Sequence, residues 1–148
     1  ITEQTGVIGE KLDISACQVV EATSVVAYNH PGNQIATIVG FTKDASDAGR
    51  QVAMQVAAMA PISVDESSVP QDVIQKELEI GKELAIQEGK PAELAEKIAH
   101  GRLNKFYKES TLLNQAFVRD NKKSVKQFLQ ETDSDLTVTD FKRVSLSI

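Results

Sequence analysis

Residues 25–39 read VVAYNHPGNQIATIV and give the clearest indication of the fold. Two apolar runs, residues 25–28 and 35–39, flank a segment in which Asn, Pro and Gly are concentrated. Those residue types favour turns, so the pattern predicts a β-hairpin, although its loop is too long to assign a turn type. Because both runs are almost continuously apolar, at least one of them is expected to be a central strand.

The regions on either side of the hairpin predict a further strand and a first helix. Residues 14–21 are rich in β-branched side chains and predict a strand that precedes the hairpin. After the hairpin, Ser46 or Asp47 is expected to cap a helix that extends to about Met59, and Pro61 ends it. Its spacing predicts an apolar side made of Val52, Val56 and Met59.

Two longer helices follow, and glycine and proline mark where they begin and end. Pro70 suits the first turn of the second helix, Gly89 ends that helix, and Pro91 begins the third. The third helix is expected to face the core through Leu94, Ile98, Leu103 and Phe106.

The last part of the chain is less regular but predicts a return to the sheet. Residues 111–120 lack periodicity and are interpreted as an anchored loop, and residues 124–130 as a short helix. A closing strand is predicted from the alternation of Leu136, Val138, Val144, Leu146 and Ile148. The order predicts an α+β fold, a small antiparallel sheet covered by helices on one side. Residues 1–13 are expected to be the tail end of a preceding subdomain.

Composition and charge narrow the class of protein. The 148 residues are 41% hydrophobic and 25% charged, which is typical of a soluble globular protein, with one domain or two small subdomains. A net charge of −5 disfavours nonspecific nucleic-acid binding. No apolar run approaches the roughly 20 residues that cross a bilayer, and we expect a cytoplasmic protein. The single cysteine, Cys17, has apolar neighbours and is expected to be a small buried thiol.

The chain contains no recognisable arrangement for chemistry. Its two histidines, His30 and His100, have no second histidine or cysteine at metal-ligand spacing. The carboxylates of the second and third helices are interleaved with lysines, which is typical of solvated helix faces. No glycine-lysine phosphate loop occurs. We therefore expect no catalytic residue, metal or cofactor, and a protein that acts through surface contact.

Several segments resemble one known family. Residues 89–98, GKPAELAEKI, are followed by residues 101–107, GRLNKFY, and by residues 112–118, LLNQAFV. Upstream, residues 52–61, VAMQVAAMAP, and the hairpin also match. In order and spacing, from about Gly9 to Val144, the chain is similar to the elongation factor Ts family.

The resemblance implies both a fold and a function. The fold is the family's dimerisation region, built from two related α+β units, with residues 14–148 as its C-terminal dimerisation subdomain. The function is that of a translation elongation factor that is not an enzyme. Members bind elongation factor Tu, promote GDP release, and hold the nucleotide-free GTPase until GTP enters.

One motif of the family is missing from this chain. Members use a Thr-Asp-Phe-Val motif to disturb the magnesium and phosphate end of the GTPase site. Residues 139–141 are Thr-Asp-Phe, but Lys142 follows and the run lies in the predicted closing strand. We interpret this run as coincidence, with Phe141 packing in the core, and expect the exchange motif upstream of Ile1.

The family's docking surface can be carried over position by position. Ile35 and Ala36 stand where many relatives have Ile-Gly, so they are predicted to contact the third domain of the GTPase. Gln55 corresponds to an exposed helix position where some relatives place His. His30 and Gln34 flank the same loop and are weaker candidates. We expect Ile35, Ala36 and Gln55 to share one outward face.

Alternatives to this interpretation stay open from sequence. Ile35 is equally well explained as sheet core, and His30 as a solvated turn residue. The chain as a whole could be a structural or dimer-forming module without GTPase contact, and a homodimer is compatible with either function.

Overall fold

The structure, a computed structural model, describes residues 1–146. A single turn of 3-10 helix, Glu66–Ser68, precedes the helix that begins at Gln71. In chain order the other elements are α1 (Thr2–Ile8), β1 (Ser24–Asn29), β2 (Ile35–Phe41), α2 (Ser46–Met59), α3 (Gln71–Gln87), α4 (Ala92–Ser110), β3 (Ala116–Phe117), β4 (Asp120–Ser124), α5 (Val125–Thr132) and β5 (Val138–Ser145). The α+β fold class is confirmed.

The main sheet has three antiparallel strands in the order β1-β2-β5. The predicted hairpin is therefore confirmed, and β2 is the central strand. Val39 lies opposite Val26 on β1 and Phe141 on β5, which fixes the register. The closing strand is confirmed as Val138–Ser145, whereas Ile148 lies outside the described residues.

Helix α2 covers one face of the sheet, which we call the core face. Because strand side chains alternate, the odd-numbered residues of β2 point towards α2 and the even-numbered ones point to the opposite, outer face.

Phe117 on β3 stacks on Phe128 of α5 with ring centroids 4.2 Å apart. The core between these elements includes Val39, Phe41, Val52, Val56, Leu112, Phe117, Val125, Leu129 and Val138.

Helices α3 and α4 pack against each other as a helical hairpin, and their main contacts are not with the sheet. Leu94, expected to face the core, is 44% exposed, so the expected packing stripe is wrong in part. Small side chains make the contact instead, because Gly81 lies so close to α4 that a Cβ there would be 2.9 Å from Cα of Ala99. Buried Leu103 is confirmed.

A salt bridge joins the same two helices. Lys82 of α3 donates to a carboxylate oxygen of Glu96 on α4 across 3.0 Å. This hydrogen bond is the main reason why the pKa of the Glu96 carboxyl is lowered. Both groups are exposed to solvent, so the pair orients the helices more than it stabilises them.

We expect Gly81→Ala to lower the free energy of unfolding by about 1–2 kcal/mol, although alanine is the better helix former. The added methyl meets the backbone of Ala99, so the helices must move apart. Gly101→Ala on α4 is the matched control, because a Cβ there has no neighbour within 4 Å. That change should stabilise by about 0.5–1 kcal/mol. Urea unfolding followed by circular dichroism measures both, and equal stabilisation by both would contradict close packing.

Residues 14–21 form no strand, so that prediction is wrong. Ile14 and Val19 are 64% and 72% exposed, and no strand of the sheet pairs with them. Near its end the segment lies against the outer face of β2, where a Cβ on Gly40 would be 3.0 Å from Cγ1 of Val20. β-Branched residues favour a strand only when a partner strand is available.

Three smaller expectations also change. Cys17 is exposed rather than buried. The predicted loop at residues 111–120 holds β3 and the start of β4. Helix α2 begins after Ala45, and Ser46 and Asp47 do not cap it by a side chain. The short helix near residue 124 is confirmed as α5, and Ser124 and Gln127 form a reciprocal capping box. The assignment of residues 1–13 to a preceding subdomain stays a prediction.

Candidate functional site

The hairpin loop, residues 29–34, is held in one shape by short local bonds. The Asn29 amide donates to the side-chain oxygen of Asn33 across 2.7 Å. The Tyr28 hydroxyl lies 3.2 Å from Nδ1 of His30, and the two rings meet edge to face. Gly32 has a φ of 94°, a left-handed conformation that costs glycine little. His30 and Gln34 are exposed, so the loop presents an ordered polar tip.

Ile35 and Ala36 point in opposite directions. Ile35 is half-buried on the core face, like Thr37, whose hydroxyl donates to the carbonyl of Ala53 on α2. Ala36 is exposed on the outer face. The expectation that both residues belong to one outward surface is wrong, because neighbouring strand residues alternate between faces. Contact of either residue with a GTPase stays a prediction.

Gln55 is fully buried, so the expectation that it lies on the surface is wrong. Its amide nitrogen donates to the side-chain oxygen of Gln115 at 3.2 Å and to the carbonyl of Ala116 at 3.1 Å. Its side-chain oxygen accepts from the backbone N–H of Val118 at 2.9 Å. These bonds satisfy the buried amide and tie α2 to β3.

A signal for this burial was present in the sequence. Gln55 follows Val52 by three residues, and that spacing places both on one side of a helix. The expectation that a polar residue faces solvent fails for Gln55, because its hydrogen-bond partners come from a distant segment of the chain. The buried Gln55 side chain positions the backbone of residues 116–118, and its contact with a GTPase stays a prediction.

The end of α2 lies at the same end of the sheet as the hairpin loop. Thr37 bonds to Ala53, and Arg143, which is opposite Thr37 on β5, donates from Nε to the carbonyl of Ala57 across 3.2 Å. Residues 58–60 are exposed there, and Met59 is 48% exposed. We call residues 29–35 together with residues 58–60 the loop end.

Two exposed apolar side chains near Gln55 were missed by the sequence interpretation. Met59 was placed on the core side of α2, but it lies at the last turn and faces outward. Val118 was placed in an anchored loop and is 49% exposed, with its N–H held by Gln55. Exposed apolar side chains of this kind are candidates for contact with a protein partner.

Neither a metal centre nor a membrane span is found in residues 1–146. No group of three or more His, Cys, Asp or Glu side chains in that range could hold a metal ion. None of the helices there combines the length and the hydropathy needed to cross a bilayer.

Comparison with known proteins gives consistent matches. The family model described as Elongation factor TS matches residues 1–147. An elongation factor Ts of Azobacteroides pseudotrichonymphae is 45% identical over 100% of this chain and 55% of its own length. One from Cytophaga hutchinsonii is 48% identical over 99% of this chain and 54% of its own. The chain spans about half the length of the curated relatives it matches.

Proposed function

This chain belongs to the elongation factor Ts family, and on that basis we propose that its loop end binds elongation factor Tu as part of a guanine-nucleotide exchange factor. The observation that supports this most is the exposed hairpin loop, held by the Asn29–Asn33 hydrogen bond, at the same end of the sheet as the exposed Met59. A preformed surface loses little conformational freedom on binding, so it suits a partner that must be captured and released in every cycle.

In this proposal exchange is a matter of linked binding equilibria. If the factor binds nucleotide-free GTPase more tightly than the GDP-bound form, the affinity for GDP must fall by the same ratio. A tenfold weakening of GDP needs only about 1.4 kcal/mol of differential affinity. No covalent step is required of this chain, and a translation factor of this kind works in the cytoplasm.

In this proposal, anchoring to the GTPase and disturbance of its nucleotide site are carried out by different segments of the exchange factor. The 148 residues contain no Thr-Asp-Phe-Val, and residues 139–141 lie in β5, where Phe141 packs against the core. The chain therefore supplies anchoring through Ile35, His30 and Gln34 of the loop end, whereas Ala36 marks the outer face as the alternative docking surface. A tethered exchange motif would gain effective concentration from such an anchor.

We expect the 148-residue chain to bind elongation factor Tu while releasing GDP much more slowly than a full-length relative does. Calorimetric titration measures the binding, and a fluorescent GDP analogue measures its release with both proteins side by side. Equal release rates would sink the separation of anchoring from exchange. Absence of binding in the titration would sink the docking proposal itself.

A second candidate function is a structural, self-associating module. The outer face of the sheet supports it, because Val25 is 45% exposed, Ala27 and Ala36 are exposed, and Ile38 is half-buried beside them. Size-exclusion chromatography with light scattering separates the candidates. A dimer that ignores added elongation factor Tu favours the module, and a mixed complex favours docking.

A further inference from the structure

A cleft of about 620 Å³ lies between the ends of α2 and α4 and the β3–β4 hairpin. Met59 and Ala116 supply its apolar surface, whereas Lys108, Lys122 and Lys123 supply its charge. Glu109, also in the lining, is already matched with Lys105 at 3.6 Å. The cleft thus offers an apolar surface with cations around it.

Charge is strongly segregated in this chain. Residues 102–126 contain seven Lys and Arg side chains against two carboxylates, a net charge of +5. The rest of the chain contains nine basic and nineteen acidic side chains, a net charge of −10. The cleft draws its three lysines from the basic segment, so it is a cationic site on an otherwise anionic molecule.

Two of the three lysines have no anionic partner within residues 1–146. Lys123 is already paired, because it donates to Glu131 and lies near Asp120. The hydrogen bond to Glu131 is the main reason why the pKa of Lys123 is raised. No described carboxylate lies within salt-bridge distance of Lys108 or Lys122. Both therefore remain available to an anion from outside.

The backbone of β4 adds a second recognition element. The pairing register passes from Ala116–Ser124 to Phe117–Asp120, so residues 121–123 have no partner residue on β3. Residues 121–124 all line the cleft, so the backbone of β4 borders the cleft together with its side chains. The N–H of Lys122 already donates to Oδ1 of Asp120 at 3.2 Å, so an extended peptide would add its main-chain hydrogen bonds at the other positions of this strand.

We propose that this cleft binds an acidic, extended segment of a partner protein. The apolar surface takes its alternate side chains, and Lys108 and Lys122 take its carboxylates. The inference goes beyond the proposed function, because the cleft shares only Met59 with the loop end and can be tested without elongation factor Tu.

Nucleic acid is the less favoured polyanion for this site. The lining contains no aromatic residue on which a base could stack. The surrounding net charge of −10 repels a long polyanion, whereas a short acidic segment stays within the cationic region. A screening distance of about 8 Å at physiological salt keeps the attraction local to the cleft.

The test uses this chain with a labelled short peptide that alternates glutamate and valine. Its counterpart with lysine in place of glutamate and a short oligouridylate serve as competing probes. Fluorescence anisotropy should show binding of the acidic peptide, and amide NMR shifts should map to residues 114–124 and Met59. Charge reversal at Lys108→Glu with Lys122→Glu should weaken binding at least about tenfold.

Lys76→Glu with Lys97→Glu is the matched control, because both lysines are exposed on α3 and α4 outside the cleft. This pair should change affinity by less than about twofold. Lys108→Gln with Lys122→Gln repeats the test if charge reversal disturbs the fold. Equal loss from both pairs, tighter binding of oligouridylate, NMR shifts outside the cleft, or no binding up to about 1 mM peptide would each overturn the proposal.

Discussion

Gln55→Ala should lower the free energy of unfolding by about 2–4 kcal/mol, the largest stability change that we predict. The substitution removes three hydrogen bonds at once and leaves the buried oxygen of Gln115 without that donor. It also opens a void beside α2, because Gln55 is among the largest fully buried side chains. Urea unfolding near neutral pH, followed by circular dichroism, measures the change.

Two further variants separate hydrogen bonding from packing. Gln55→Met keeps nearly the same volume but cannot serve the N–H of Val118 or the oxygens of Gln115 and Ala116. It should therefore still cost about 1–3 kcal/mol. Gln75→Ala, an exposed glutamine of α3, is the control and should stay within about 0.5 kcal/mol. A neutral Gln55→Met would show that volume alone matters at this position.

Ile35→Asp should weaken binding to elongation factor Tu by about 10–100-fold, or about 1.4–2.8 kcal/mol. This expectation rests on the proposed docking of the loop end. An apolar residue at the base of an ordered loop is a natural anchor, and a carboxylate there must be desolvated on binding. Calorimetric titration against elongation factor Tu, with folding checked by circular dichroism, measures the loss.

Ala36→Asp is the matched control, because it places the same carboxylate one residue further on the outer face. We expect that variant to bind with less than about threefold loss, since rim charges contribute little. If Ala36→Asp abolishes binding and Ile35→Asp does not, the outer face is the docking surface. Should Ile35→Asp melt the fold, Ile35 is core, and His30→Ala and Gln34→Ala then test the loop itself.

The sequence carried most of the architecture through short-range signals. Turn residues at positions 29–34 predicted the hairpin, and Gly89 with Pro91 predicted the junction between α3 and α4. Gly89 and Pro91 act within a few residues, because Gly89 adopts a φ of 78° and Pro91 precedes the first residue of α4. Local energies of this kind are set by neighbouring residues, so sequence alone reveals them.

The errors have one physical origin. Residues 14–21 looked like a strand, Leu94 like core and Gln55 like surface, and each depended on a partner distant in the chain. Gln55 is buried because its hydrogen-bond partners Gln115, Ala116 and Val118 lie 60 to 63 residues further along the chain. Leu94 is exposed because α4 packs on α3 through alanines instead.

Sequence alone was sufficient to predict the hairpin, helices α2 to α5, the closing strand and the family, because turn chemistry, helix spacing and motif identity are properties of neighbouring residues. The folded structure was needed to show which side chains are buried and that three lysines line one cleft. Burial and charge clustering depend on contacts between segments far apart in the chain, and no local pattern contains those contacts.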